Sequence, residues 1–324
     1  MTVDAAKGTD LEDSSLLPKS YLVAEERVRF ATKDGFAIHG TYFSASAADR
    51  ITCAVVLNPG VGIPSRSYRN FARFLAASGI PVLTYDYRGI GQSKPSSLRH
   101  FSATIEDWAE FDCAAAIDWL HSRCAHARLV GIGHSVGSLL FAGAPNSAKL
   151  ASLIMIGAHT GFYGDYRRAY RLPMAVLWHG VMPAFTRLFG YFPGRLLRLG
   201  DDIPKGVAMQ WARRRTPILR SSAAAFPIDR MQRLVKRFSQ TQLDTLILTF
   251  TDDGFATEAG AARVRDYFPR LTVEHWLISP SQVGLKRIGH FGFFRQEARF
   301  SMWPKMVKYL TSAQEPALDA TSRS

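Results

Sequence analysis

The clearest pattern along the chain is a series of short, largely apolar runs set apart by longer mixed segments. Residues 52–58 (TCAVVLN), 81–86 (PVLTYD), 128–133 (RLVGIG), 151–157 (ASLIMIG), 245–250 (TLILTF) and 272–278 (TVEHWLI) are rich in β-branched and aliphatic side chains. Near-continuous apolar runs of this length predict strands buried on both faces, and most of the intervening segments are long enough for helices. The alternation predicts an α/β fold on a parallel sheet with helices on both faces. Ahead of these runs, residues 26–44 (ERVRFATKDGFAIHGTYFS) hold two alternating segments joined at Asp34-Gly35. Glycine there accepts the positive φ of a tight turn, so an antiparallel hairpin is expected first. No internal repeat is present.

One interval breaks the rhythm: about ninety residues separate the run ending at Gly157 from the run at 245–250. Positions 160–230 are crowded with aromatics and prolines and carry twelve Arg and Lys residues against four acids. The 324-residue chain has a formal net charge of +13, so most of its excess lies in this one stretch. A basic stretch suits an anionic headgroup or membrane surface, although charge runs are also ordinary solvated faces. No nucleic-acid motif accompanies it, and no nucleic-acid partner is expected.

With 47% hydrophobic and 21% charged residues the composition is that of a globular protein. Cys53, Cys113 and Cys124 are too few and odd in number for a disulfide framework, and none has metal-site spacing. Free thiols, no metal and a reducing compartment follow as expectations. The first twenty residues carry acids where a secretory signal needs a basic start and an apolar centre, so a cytoplasmic location is expected. The segment 172–185 (LPMAVLWHGVMPAF) falls short of the roughly 18 apolar residues of a membrane span and is interrupted by Pro173, His179 and Pro183.

The stretch 128–140 (RLVGIGHSVGSLL) runs from a predicted strand through Gly-His-Ser-Val-Gly into a predicted helix. A strand that turns directly into a helix forces the central residue into a strained backbone, and side chains at the two glycine positions would strike the neighbouring elements. Such a turn would hold the Ser135 hydroxyl out above the sheet. Serine is also a favoured helix cap, so the pentapeptide alone leaves both readings open.

A serine hydroxyl needs a base within hydrogen-bond reach and an acid to orient that base. The run 245–250 ends in Asp252 and Asp253, and residues 286–295 (KRIGHFGFFR) place His290 in a glycine-flanked loop before a C-terminal helix. Ser135, Asp253 and His290 fall in the order serine, acid, histidine, each just after a strand. Asp253 is the preferred acid and Asp252 the alternative. Either aspartate could equally cap a helix, and His290 could be a turn residue. His134 should point away from the serine, and Asp86 should organise its own loop. Backbone amides of Val136, at the helix N-terminus, and of Val61, in the loop after residue 58, would bind an oxyanion.

Together, the segments LNPGVG, YDYRGIGQSKP, GHSVG, FTDDGF and GHFGFF resemble the α/β-hydrolase superfamily, in particular its bacterial branch related to monoacylglycerol lipases and serine-aminopeptidase-like hydrolases. The resemblance implies an α/β-hydrolase fold: an eight-stranded, mostly parallel sheet with a helical lid inserted after the sixth strand. The domains expected are tails at 1–20 and 313–324, a core of 21–159 with 241–312, and a lid at 160–240. The chain departs from relatives at Asn58-Pro59, where His-Gly is common, and at Phe250 and Gly254 around the acid.

The aromatics of the lid, including Trp178, Trp211 and Tyr166, suggest an apolar acyl or aromatic ligand, though most would form the lid's own core. The leading expectation is a serine hydrolase acting on a carboxylic ester or thioester of a small-molecule acyl substrate, without a cofactor. An acyltransferase with the same triad, an aminopeptidase-like enzyme and a non-catalytic binding protein remain as alternatives. Peripheral membrane contact through the basic lid is a further possibility.

Overall fold

The computed structural model describes residues 21–45, 51–213 and 228–312. Arg214, Arg215 and Arg220 of the basic stretch, and the two terminal tails, lie outside them.

Eight strands form one sheet in the order β1-β2-β4-β3-β5-β6-β9-β10. They are β1 (Val23–Ala31), β2 (Ala37–Ala45), β3 (Cys53–Asn58), β4 (Val82–Tyr85), β5 (Arg128–His134), β6 (Ser152–Ile156), β9 (Asp244–Phe250) and β10 (Thr272–Ile278). The first two strands pair antiparallel, β2 pairs antiparallel with β4, and every later pairing is parallel. The expected hairpin turn is made at Gly35, with φ of 82°. A separate two-residue ribbon joins β7 (Tyr191–Phe192) to β8 (Ile203–Pro204).

Alternation along the central strands builds two cores. Ala54 and Val56 of β3 face one, with α2 (Ala114–Arg123) and α3 (Gly137–Gly143). Cys53, Val55 and Leu57 face the other, with α1 (Arg69–Ala77) and the C-terminal helix Trp303–Ser312. Both faces are therefore covered, which is why these strands are continuously apolar. The edge strand β10 is instead mostly exposed or half-buried and alternates accordingly.

Two charged residues of the 84–95 segment explain its composition. Buried Arg88 reaches Asp112 at 2.7 Å and Asp34 at 2.7 Å, tying the hairpin turn to the helical layer. Asp86 accepts from the Ser65 amide at 2.6 Å and the Gln92 amide at 2.8 Å, organising its own loop as the sequence suggested.

Between β6 and β9 the chain leaves the sheet. A helical stretch runs from α4 (Arg168–Val176) through a wide π-type turn (Leu177–Val181) into α5 (Met182–Phe189), and α6 (Lys205–Ala212) follows. Pro173 lies inside α4 and is exposed, and the helix continues past it. This segment is pinned to the core through Asp201, which accepts from the Gly91 amide and from Lys94, both at 2.8 Å, and whose own amide donates to the Gly62 carbonyl at 2.7 Å. Among the described residues no helix is long and apolar enough to cross a membrane.

Candidate active site

β5 runs into α3 with a single sharp reversal. Ser135 takes φ of 57°, one of two non-glycine residues in the left-handed region among those described, at a cost of about 1–3 kcal/mol. The turn is held by the Ser135 amide, which donates to the Ile156 carbonyl of β6 at 2.9 Å. Both flanking glycines are required by contact. A Cβ at Gly133 would lie 2.3 Å from Ser138 Cα, and one at Gly137 would lie 2.1 Å from the Pro59 carbonyl oxygen. Neither obstacle is a flexible side chain, so Gly137→Ala should destabilise the fold by about 3 kcal/mol, measurable by urea denaturation. A cost below about 1 kcal/mol would contradict this packing.

The loop after β9 carries both aspartates and divides their work. Asp253 Oδ2 lies 2.7 Å from His290 Nδ1, while Oδ1 accepts from the Phe255 and Ala256 amides at 2.8 and 3.1 Å. Burial opposes ionisation of Asp253, but His290 and the two amides outweigh it and hold the carboxyl below its ordinary value. Asp252 Oδ2 instead accepts from the Ile288 and Gly289 amides at 2.9 and 3.0 Å, bracing the loop that presents His290. The structure thus brings Asp253, not Asp252, to the imidazole.

His134 braces the same loop from below. Its Nε2 is 2.9 Å from the His290 carbonyl, and its Nδ1 is 2.8 Å from the Tyr68 hydroxyl, which in turn accepts from the Gly60 amide. Direction follows from the fixed groups. A carbonyl can only accept, so Nε2 carries the proton and Nδ1 accepts from Tyr68. Burial, with His290 beside it, pulls the His134 pKa down to about 3, keeping it neutral.

The Ser135 hydroxyl does not bond to His290 here. Its Oγ lies 3.0 Å from Nε2 of His159, which sits three residues beyond β6. The two imidazoles, with ring centroids 5.3 Å apart, both line the cavity above the serine.

On the other side, the Val61 loop and the N-terminus of α3 bracket the serine. Val136 caps that helix, placing its amide at the positive end of the macrodipole. Asn58, at the family departure, ties loop to elbow: its Nδ2 donates to the Gly137 carbonyl at 3.1 Å and its Oδ1 accepts from Tyr85 at 2.6 Å. A cavity of about 300 Å³ opens from Ser135, with Met174, Leu177, Trp178, Met182, Val207 and Trp211 among its walls. Tyr166 is not in the wall: it is buried behind His159, edge-on at 5.5 Å.

Residues 49–275 match the family model described as serine aminopeptidase, S33. The chain belongs to this family. Its fold is that of the α/β hydrolases, and its relatives include esterases. It is 28% identical over 131 residues to the rhodomycin D methylesterase DauP of Streptomyces sp. (strain C5), covering 40% of this chain and 42% of that protein. It is 30% identical over 89 residues to the polyketide transferase claH of Penicillium crustosum, covering 26% and 29% respectively. The chain thus spans less than half the length of these curated relatives. Among solved structures, the Pyrococcus furiosus esterase Pf2001 shares the fold with a TM-score of 0.56 at 14% identity, over 97% of this chain and 98% of that one.

Within this S33 chain, His159 is the site residue that sequence reasoning passes over. The order serine, acid, histidine directs the search beyond Asp253, whereas His159 precedes both aspartates. A signal was present: residues 157–161 (GAHTG) flank a histidine with glycines, as around His290, directly after the buried run 151–157.

Proposed function

We propose that the chain is a serine hydrolase that cleaves an ester or thioester of an apolar acyl group through an acyl-enzyme on Ser135. The observation that carries this reading is a strained, cavity-facing serine beside a histidine whose Nδ1 meets a buried, ionised aspartate at 2.7 Å.

The chemistry follows from proton positions. Because the Asp253 carboxylate accepts from Nδ1–H, His290 keeps an unprotonated Nε2, the form a general base requires. The Ser135 hydroxyl turns its proton toward His290 and gives it up to Nε2 while Oγ bonds to the acyl carbon. The Val61 and Val136 amides receive the oxyanion, and His290 passes the proton to the departing alcohol or thiol. Water then repeats the sequence and releases the acid. The stretch from Met174 to Trp211 acts as a lid, supplying much of the apolar wall for the acyl group.

Support for an acyl-transfer variant comes from the similarity to a polyketide transferase; adding an alcohol or amine acceptor would then divert product from acid to the new ester or amide. For hydrolysis, kcat/KM on p-nitrophenyl esters should rise with acyl length by about fourfold per methylene, from about 0.8 kcal/mol each, until the cavity is full. A flat series would contradict an apolar acyl pocket.

A partner is suggested by the outer face of the same lid. Leu172, Val176, Gly180, Ala184 and Leu188 recur every fourth residue along α4 and α5, and all five are exposed, Leu172 and Leu188 each at 73%. Arg168, Arg171 and Arg187 flank them, and no acid occurs between Asp165 and Asp201. An apolar ridge bordered by cations fits an anionic lipid surface, each arginine adding about 1 kcal/mol. Cosedimentation with phosphatidylglycerol vesicles should be lost in a Leu172→Glu, Leu188→Glu variant that retains activity on a short soluble ester. Binding unchanged in the variant, or a dimer that buries the ridge, would rule this partner out.

A further inference from the structure

The serine sits between two imidazoles that differ in which nitrogen holds the proton. At His159 the direction is fixed by the backbone: the Gly161 amide donates to Nδ1 at 3.0 Å, so Nδ1 bears a lone pair and the neutral ring carries its hydrogen on Nε2. The 3.0 Å contact therefore runs from His159 Nε2–H to a lone pair of Ser135 Oγ. A ring in this form cannot take the serine's proton. It can only donate a hydrogen bond to the oxygen.

We propose that His159 is a second catalytic histidine, a fixed hydrogen-bond donor to Ser135 Oγ that acts chiefly when the acyl-enzyme breaks down. The proposal rests on the serine-hydrolase reading. Before attack the free hydroxyl already accepts from His159, so the donor stabilises the starting state as well as the transition state and changes that barrier little; in the acyl-enzyme Oγ is an ester oxygen and a poor acceptor. In the second half-reaction, water bonds the acyl carbon and gives its proton to His290. The carbon–Oγ bond then breaks, Oγ leaves with the electron pair, and His290 returns a proton to it. Negative charge grows on Oγ in that step, where a preplaced donor in a buried site has its largest effect. His159 gives and receives no proton overall.

The surroundings suit that task. His159 is 4% exposed, stands edge-on to Tyr166 with ring centroids 5.5 Å apart, and faces Phe255 at 6.5 Å with the rings inclined by 25°, its orientation set by the Gly161 amide. A neutral donor held this firmly needs no reorganisation when charge appears beside it.

A slow acylating agent separates the two halves. With p-nitrophenyl dimethylcarbamate, nitrophenolate release reports carbamoylation of Ser135, and recovery of esterase activity after gel filtration reports decarbamoylation, the half-reaction in which Oγ departs. His159→Phe should be carbamoylated within about threefold of the wild-type rate and recover on the order of 30-fold more slowly. His159→Gln, whose amide can donate from the same place, should recover within about fivefold of wild type. Equal slowing of both steps in His159→Phe, or unchanged recovery, would overturn the proposal. Nitrogen-15 shifts of the His159 ring supply a readout on unmutated protein: the proton belongs on Nε2, and a proton on Nδ1 would overturn the assignment. Failure of the wild type to be carbamoylated would remove the hydrolase reading itself, a result distinct from an altered partition between the two steps.

Discussion

Ser135→Ala is expected to lower kcat/KM for p-nitrophenyl esters by on the order of 10⁴-fold or more. The substitution removes the atom that would bond the acyl carbon while leaving the oxyanion amides, His290 and the cavity in place. What survives should be a small residual rate from binding and electrostatics. Stability should change little. Alanine keeps the left-handed backbone and its strain, and the main loss is the hydrogen bond from His159, worth about 1 kcal/mol in thermal or urea unfolding. Retention of full activity in a folded Ser135→Ala protein would place the chemistry elsewhere.

The second large effect separates the two aspartates. Asp253→Asn should reduce kcat by about 10³–10⁴-fold, because the asparagine amide no longer fixes the His290 proton on Nδ1. Asp252→Asn should leave kcat within about tenfold and act instead on stability, by about 1 kcal/mol, since its carboxylate serves the Ile288 and Gly289 amides. The comparison is informative because the residues are adjacent in sequence and differ only in which way the turn points them. A reversed ranking in steady-state kinetics would make Asp252 the orienting acid.

Much of this architecture is legible in the sequence for a physical reason. The eight sheet strands announce themselves because each central one is buried on both faces, and a buried strand must be apolar throughout. The elbow is legible because its geometry admits only glycine at positions 133 and 137, where a Cβ would meet backbone atoms. Burial and pairing are less local. Nothing in the residue types distinguishes Asp252 from Asp253, because the difference lies in the turn that hands one carboxylate to His290 and the other to the loop below it. Tyr166 has the composition of a pocket residue yet packs behind His159. The histidine that meets the serine hydroxyl is hidden for a related reason: β6 lies beside β5 in the sheet, but that adjacency comes from strand order rather than from spacing along the chain.

The buried network around the site also accounts for features that look like departures from the family pattern. Asn58, at the start of the Val61 loop, occupies its amide with the Gly137 carbonyl and the Tyr85 hydroxyl, so it stitches the loop to the elbow. His134, inside the elbow, links the Gly60 amide through Tyr68 to the His290 carbonyl. The Val61 loop and the His290 loop are thus joined through one neutral imidazole.

The most direct test of the central claim is to trap the acyl-enzyme. Acid quenching during turnover of p-nitrophenyl butyrate, followed by peptic digestion and mass spectrometry, should find a butyryl group on the peptide containing Ser135, and its amount should increase in His159→Phe. Turnover that continues with Ser135 unmodified, or with the acyl group carried on another residue, would contradict the account.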